Sequence, residues 1–345
     1  MREVNMSINN LVIPPKTLTF LTTFQCTAAC KNCCFGCNPK FRKKLSLQQM
    51  KNYIDQSISC YKHSLRVLVL TGGECFLLKN DLKEIIKYAT SKGLLTRVVT
   101  NGYWAKTYQQ AYETLLSLRD DGLKEINFST GDEHQEWVAY ENIVNGCMAS
   151  IDLGLTCIVN VETHDTSKFK AKTLLEDHQL KSYFDKKKYK NPLRIDNGLW
   201  IPFNKNSKIS YDSIEFKEDI TSKRCTSLFS TISINPYSQM LACCGLTSER
   251  IEPLRLGSLQ HCSIKELYEL QFRDLLKIWL FVEGSYSVLQ YIYGKRGIKK
   301  RIVGHTCHIC AEIFKDTENI QCIKDNYKEI FTTVMFKFEL LKLTI

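Results

Sequence analysis

Three cysteines, Cys26, Cys30 and Cys33, stand in the stretch Phe24-Gln-Cys-Thr-Ala-Ala-Cys-Lys-Asn-Cys33 with the spacing C-x3-C-x2-C. Three thiolates on one short loop can hold three irons of a [4Fe-4S] cluster and leave the fourth iron open to a ligand. The same loop suits zinc, because Cys34 and Cys37 add an overlapping C-x2-C, a spacing used by thiolate zinc sites. A second group of thiols lies far along the chain, at Cys225, Cys243, Cys244, Cys262, Cys307, Cys310 and Cys322. There too a cluster competes with a zinc ribbon that recruits His305 or His308 to the Cys307-x2-Cys310 pair. Cys60, Cys147 and Cys157 fall inside expected helices or strands and read as core, since a free thiol packs like a small hydrophobe.

The first loop follows the β-branched and aromatic run over 16–23, which sits behind Pro14-Pro15 and predicts a strand. Further strands are expected over 65–70, 94–100, 125–129 and 156–162, and a sixth over 193–201. Helices are expected between them, over 49–59, 82–91, 107–118, 135–150 and 167–180. Strands apolar on both faces that alternate with helices make a parallel sheet. The cysteine loop therefore sits past the C-terminal end of a strand, where barrel enzymes place their chemistry. Other strand ends carry polar turns: Leu70-Thr-Gly-Gly-Glu74, Val98-Val-Thr-Asn-Gly102, Phe128-Ser-Thr-Gly-Asp-Glu-His134, and Glu162 at the fifth.

Together, the cysteine spacing, the strand before it and the Gly72-Gly73-Glu74 turn after the second strand resemble the radical S-adenosylmethionine (SAM) superfamily. The resemblance implies a partial (β/α)6 TIM-like barrel with a [4Fe-4S] cluster on Cys26, Cys30 and Cys33 whose open iron chelates SAM. It implies SAM contacts at Gly72, Gly73, Glu74, Asn101, Ser129 and Asp132, with His134 and Glu162 as further candidates, His134 having a pKa suited to proton handling. The chain departs from the family at Cys75, where proline is usual, and at Asn32, where an aromatic residue precedes the third cysteine; Phe35 is the candidate replacement near adenine.

The C-terminal thiols resemble the twitch and SPASM domains that extend radical SAM enzymes. A hairpin over 233–245 is expected, with Cys225, Ser238 in the place of the turn glycine, Cys243, and then Cys307-x2-Cys310. Serine suits that turn only where it avoids positive φ. The next cysteine is Cys322, so the shorter twitch pattern, with one auxiliary [4Fe-4S] cluster on Cys225, Cys243, Cys307 and Cys310, fits better than a full SPASM domain. Cys244, Cys262 and Cys322 are left as ligands of a further cluster or as buried thiols. The expected organisation is a core over 1–184, a last core strand and linker over 185–224, a small α+β cysteine-rich domain over 225–322 with a covering helix over 264–279, and a C-terminal helix over 323–345.

The 345 residues carry a net charge of +11, part of it in basic runs over 186–188 and 295–301. Neither run has the interleaved aromatics of a nucleic-acid module, and no apolar run is long enough to span a bilayer. No charged, apolar start marks a secretion signal, and iron-sulfur ligands must stay reduced, so the cytoplasm is expected. The resemblance implies an oxidoreductase or maturase that cleaves SAM to a 5′-deoxyadenosyl radical, fed by an external donor such as flavodoxin or ferredoxin. The first reading is a maturase that crosslinks or epimerises a ribosomally made peptide, with too few residues ahead of Cys26 for a peptide-recognition domain. The others are a small-molecule dehydrogenase and, from a different class, a zinc-stabilised nucleic-acid-binding protein.

Overall fold

The computed structural model describes residues 11–186, 193–201, 224–300, 302 and 305–344. In chain order its first half runs β1 (Thr17–Leu21), α1 (Leu47–Tyr61), β2 (Val67–Thr71), α2 (Asn80–Ser91), β3 (Leu95–Thr100), α3 (Tyr108–Asp120), β4 (Leu123–Thr130), α4 (Asp132–Gln135), α5 (Tyr140–Asp152), β5 (Thr156–Glu162), α6 (Ala171–Leu175), α7 (His178–Lys186) and β6 (Leu193–Gly198). The second half holds β7 (Thr231–Ile234), β8 (Gln239–Leu241), β9 (Arg255–Ser258), α8 (Ile264–Leu270), α9 (Leu275–Arg296), α10 (Thr306–Lys315), α11 (Thr317–Asp325) and α12 (Tyr327–Lys342). Most of the expected linker, and the basic run over 186–188 beyond its first residue, lie outside the described residues.

One sheet runs through both halves in the order β6-β5-β4-β3-β2-β1-β7-β8-β9. β1 to β6 are parallel neighbours, as a βα barrel requires. The cysteine-rich half does not form a sheet of its own: β7 pairs in parallel with β1, Thr17 opposite Thr231, and the expected β7–β8 hairpin then adds antiparallel strands. Leu18 and Phe20 of β1 are fully buried and join Met50, Tyr53 and Ile54 of α1 in the main core. The alternate residues face the barrel lumen, and Leu21 packs there with Phe24, Cys37 and Leu241. Polar residues are enriched on the lumenal face toward the β4–β5–β6 side, where Ser129, Asn160 and Asp196 lie side by side.

Three expected helices are interrupted. The helix expected over 135–150 is α4 and α5, separated by a turn, and that over 167–180 is α6 and α7, with the Asp177 carboxylate accepting the Leu180 N–H at 2.8 Å. The one expected over 264–279 breaks at Asp274, whose carboxylate accepts the N–H groups of Leu276 and Lys277 and starts α9. An aspartate that satisfies the unpaired N–H groups of a new helix competes directly with continuing the old one. Ser238 has φ 59°, so the hairpin turn does not avoid the left-handed region. Asn235 holds that turn by accepting the N–H groups of Tyr237 and Gln239, and Gln49 donates to the Ser238 hydroxyl at 3.1 Å.

Candidate active site

The cysteine loop leaves β1 and folds against the turn after β2. Gly73 N–H donates to the Thr23 carbonyl at 2.6 Å and Glu74 N–H to the Gln25 carbonyl at 2.9 Å. A Cβ on Gly72 would lie 2.5 Å from the Thr23 oxygen, and one on Gly73 only 2.1 Å from the Gln25 oxygen. Both glycines are therefore needed for the two backbones to touch, quite apart from any ligand. Further along, Cys26 N–H donates to Asn38 O, and Cys33 N–H to Cys30 O, each at 3.2 Å, which curls the three thiols into one tight loop.

The thiols face one another closely enough to interact. Burial, together with the neighbouring Cys33 thiol and the Glu74 carboxyl, pushes Cys26 up to about 12, and burial with Cys33 and Cys26 raises Cys30 too. Cys33 goes the other way, because the Cys37 thiol hydrogen-bonds to it and favours the thiolate. Three buried thiolates side by side repel unless a multiply charged cation sits among them, which is what an iron cluster supplies. Two donors already point at Cys26 Sγ: Ala28 N–H at 3.4 Å and the Asn101 amide at 3.6 Å. Asn101 also donates to the Thr27 hydroxyl at 2.9 Å, so β3 grips the loop from the lumen side.

Among the described residues, no group of three or more His, Cys, Asp or Glu side chains is drawn in around a single-ion position.

The other expected contacts divide. Glu74 is fully buried, and its carboxylate accepts from Phe76 N–H, the Thr100 hydroxyl and Asn101 N–H at 3.0, 2.9 and 2.8 Å. The side chain thus braces β2 against β3, and burial pushes its pKa up to about 7. The Asp132 carboxylate accepts the N–H groups of Lys168 and Phe169 at 2.7 and 2.9 Å, tying the β4 end to the loop after β5. Ser129 is half-buried in register with Asn160, on the open lumenal face. The His134 ring lies 4.2 Å from the Trp200 ring, and burial pushes its pKa down to about 3.

Asn32 and Phe35 face different ways. Phe35 packs with Leu21, Phe24 and Leu241. Asn32 is fully buried beside Glu162, without a well-aligned hydrogen bond between the two side chains. Burial pushes Glu162 up to about 7, and the Asn32 amide partly offsets this.

The second thiol group also comes together. A Cβ at Gly245 would lie 3.2 Å from Cys307 Sγ and 3.4 Å from Cys243 Sγ. Burial raises Cys243 and Cys310, and the nearby Cys225 and Cys307 thiols add to it. Cys244 stands beside them, 3.2 Å from the Ser227 hydroxyl. His305 accepts Cys307 N–H through Nδ1 and caps α10. Cys262 is exposed and Cys322 lies on α11 near Asn326, both apart from this group. Cys147 and Cys157 are core as expected, but Cys60 is exposed on α1. Sequence reasoning missed one link: Cys34 and Arg250 lie near Cys307, bringing the first loop up to the second group. Nothing in the spacing signals a contact between residues so far apart in the chain.

The three thiols converge at the C-terminal rim of a parallel barrel sheet, the face on which barrel enzymes place their sites. The family description that matches residues 17–140 is a 4Fe-4S single cluster domain. The curated protein "Putative peptide biosynthesis protein YydG" of Bacillus subtilis (strain 168) is 22% identical over 130 residues, which are 38% of this chain and 40% of that protein. The chain thus matches less than half the length of that relative. Among solved structures, native anSMEcpe with bound AdoMet matches with a TM-score of 0.51 at 12% identity, over 93% of this chain and 99% of that one. BtrN in complex with AdoMet and 2-DOIA matches with a TM-score of 0.45 at 12% identity, over 77% of this chain and 88% of that one. Residues 17–140 thus match a 4Fe-4S single cluster domain, and the chain shares its fold with native anSMEcpe.

Proposed function

We propose that this chain is a radical SAM maturase that modifies a ribosomally made peptide, by crosslinking or epimerisation. The observation that carries the reading is the convergence of Cys26, Cys30 and Cys33 on one loop pressed against Gly72-Gly73 at the barrel rim. The match to a peptide biosynthesis protein supports the substrate class. A reduced cluster held there would supply one electron for breaking the C5′–S bond of SAM, releasing methionine and a 5′-deoxyadenosyl radical able to take hydrogen from an unreactive carbon. The chain's own part is positional. Cys26, Cys30 and Cys33 would hold the cluster, the Asn101 amide orients Cys26, and the Glu74 carboxylate fixes Asn101 from behind. Gly72, Gly73 and Ser129 are the residues that would contact SAM, and Asp132 holds the neighbouring loop in place.

Cys225, Cys243, Cys307 and Cys310 would hold an auxiliary [4Fe-4S] cluster, with Arg250 as a nearby positive charge. Among the described residues no helix is long and apolar enough to cross a membrane. The reading places the enzyme in the cytoplasm with a flavodoxin- or ferredoxin-type donor. The test is anaerobic purification and reconstitution, followed by iron, sulfide and zinc counts and assay of 5′-deoxyadenosine after dithionite reduction. About eight irons per chain with SAM cleavage is the expected result for two four-iron clusters. Zinc without cleavage would overturn the reading.

A further inference from the structure

A basic run, Pro39-Lys-Phe-Arg-Lys-Lys44, follows the cysteine loop directly. Its place is fixed by the extended segment that leaves β1. Phe24 N–H donates to the Lys43 carbonyl and the Phe24 carbonyl accepts from Asn38 N–H, each at 3.4 Å, while Cys26 N–H reaches the Asn38 carbonyl at 3.2 Å. The carbonyls of Thr23 and Gln25 point the other way, to the N–H groups of Gly73 and Glu74. Neighbouring residues of an extended chain present their polar groups to opposite edges. The basic run therefore covers one edge of the segment leading into Cys26, and the Gly72-Gly73 turn covers the other.

Residues 39–44 are all exposed. Arg42 donates to the carbonyls of Pro39 and Phe41, neutral acceptors that leave its charge in place, and Lys44 pairs with Asp81 at 3.3 Å. Lys40 and Lys43 form no ion pair among the described residues, and the Lys43 ammonium stands 5.9 Å from the centre of the Tyr237 ring. The centre of the patch is aromatic. Phe41 is 38% and Tyr237 48% exposed, and their rings lie 6.4 and 5.9 Å from that of Phe24. Phe24 itself is buried with Leu21, Cys37 and Leu241, the group against which Cys26 and Cys33 pack. One buried ring thus links two exposed aromatics to two thiols of the first site.

We propose that this patch is the docking surface for an acidic one-electron carrier protein, whose carboxylates face Lys40 and Lys43 and whose redox group approaches Phe41 and Tyr237. The inference rests on the radical SAM reading and adds to it the place where the electron enters. One electron passes from the reduced carrier to the cluster, oxidising the first and reducing the second, with no bond made or broken. Transient redox interfaces are small, and charge complementarity sets their rate of encounter more than their affinity. Exposed aromatics among cations are the composition such an interface needs. A carrier seated there leaves the Gly72-Gly73 edge to SAM and substrate.

The test uses the full, cluster-loaded chain with an acidic flavodoxin as the probe. Affinity is measured by calorimetry with oxidised flavodoxin, and cluster reduction by rapid mixing with the fully reduced form. Lys40→Glu/Lys43→Glu should slow reduction about tenfold at low salt, a loss within the range that electrostatic steering supplies, and the gap to the parent should close as salt rises. Lys324→Glu/Lys328→Glu carries the same change of charge on α11 and α12, which pack on α9, and should slow reduction much less. Phe41→Ala should weaken binding at every salt concentration. Dithionite needs no docking surface, so the ratio of flavodoxin-driven to dithionite-driven 5′-deoxyadenosine isolates the patch from the cluster. Equal reduction rates in the parent and Lys40→Glu/Lys43→Glu, or equal losses in the two double variants, would overturn the proposal. So would a single-stranded oligonucleotide that binds the parent and not Lys40→Glu/Lys43→Glu while flavodoxin binds both alike, which would assign the patch to nucleic acid. No 5′-deoxyadenosine with dithionite would instead sink the radical SAM reading, and the calorimetric result, which needs neither SAM nor reductant, stands apart from it.

Discussion

Replacing Gly73 by alanine tests whether the Gly-Gly turn is there to let the cysteine loop dock. The new Cβ would stand 2.1 Å from the Gln25 carbonyl oxygen, where real Cβ atoms essentially never come within 3.0 Å, and the obstacle is backbone rather than a movable side-chain tip. Gln25, one residue before Cys26, must retreat by about 0.9 Å. Retreat stretches the Gly73–Thr23 and Glu74–Gln25 hydrogen bonds, worth about 1 kcal/mol each, and adds overpacking strain of about 1–3 kcal/mol. The total, about 3–5 kcal/mol, is a large part of a typical stability of about 5–15 kcal/mol. A displacement of that size also exceeds the roughly 0.5 Å within which a functional constellation must be held. The variant should therefore melt earlier and lose much of the iron of the first cluster after reconstitution, measured as iron per chain beside the melting curve. Gly294→Ala is the control: nothing lies within 4 Å of its Cβ on α9, and alanine should stabilise by about 0.5–1 kcal/mol. Full iron and an unchanged melting temperature in Gly73→Ala would refute the packing argument.

Asn101→Ala removes the donors to Cys26 Sγ and the Thr27 hydroxyl; a destabilisation of about 1–2 kcal/mol and a lower midpoint potential of the first cluster are expected, read by melting and by redox titration. Cys225→Ala and Cys310→Ala should each remove about four irons per chain, whereas Cys262→Ser and Cys322→Ser should leave the iron count unchanged. For Glu162, the folded-state pKa of about 7 lies above its ordinary value of 4.5, so the native state binds the proton more tightly. Its favourable contribution is present below about 4.5 and is lost as pH rises through 7. Glu162→Gln should then be nearly neutral at pH 4.5 and more stable than the parent by about 2–3 kcal/mol at pH 8, and an equal difference at both pH values would refute the assignment.

The sequence alone determined much of this protein. The barrel strands were legible because parallel strands buried on both faces leave continuous apolar runs, as in Leu68, Val69 and Leu70. The first thiol set was legible because its three cysteines fall within one short loop, so spacing and geometry are nearly the same thing. The helix breaks were not, since whether Asp274 caps a new helix or rides on the old one depends on the packing around it.

Only the tertiary structure decided the rest. Glu74 and Asp132 stand at strand ends, and neighbouring strands and loops fix the direction of their carboxylates through backbone N–H groups. His134 has the ordinary titration of an imidazole until burial in the fold, with its ring 4.2 Å from that of Trp200, pushes its pKa down. The C-terminal half looked like a separate unit, and the β1–β7 pairing made it part of the same sheet. That pairing brings Leu241 onto the first cysteine loop and Cys34 towards Cys307. Local pattern records what a residue can do and which element it joins. Long-range pairing and burial decide what it faces, and hydrogen-bond satisfaction and pKa follow from that.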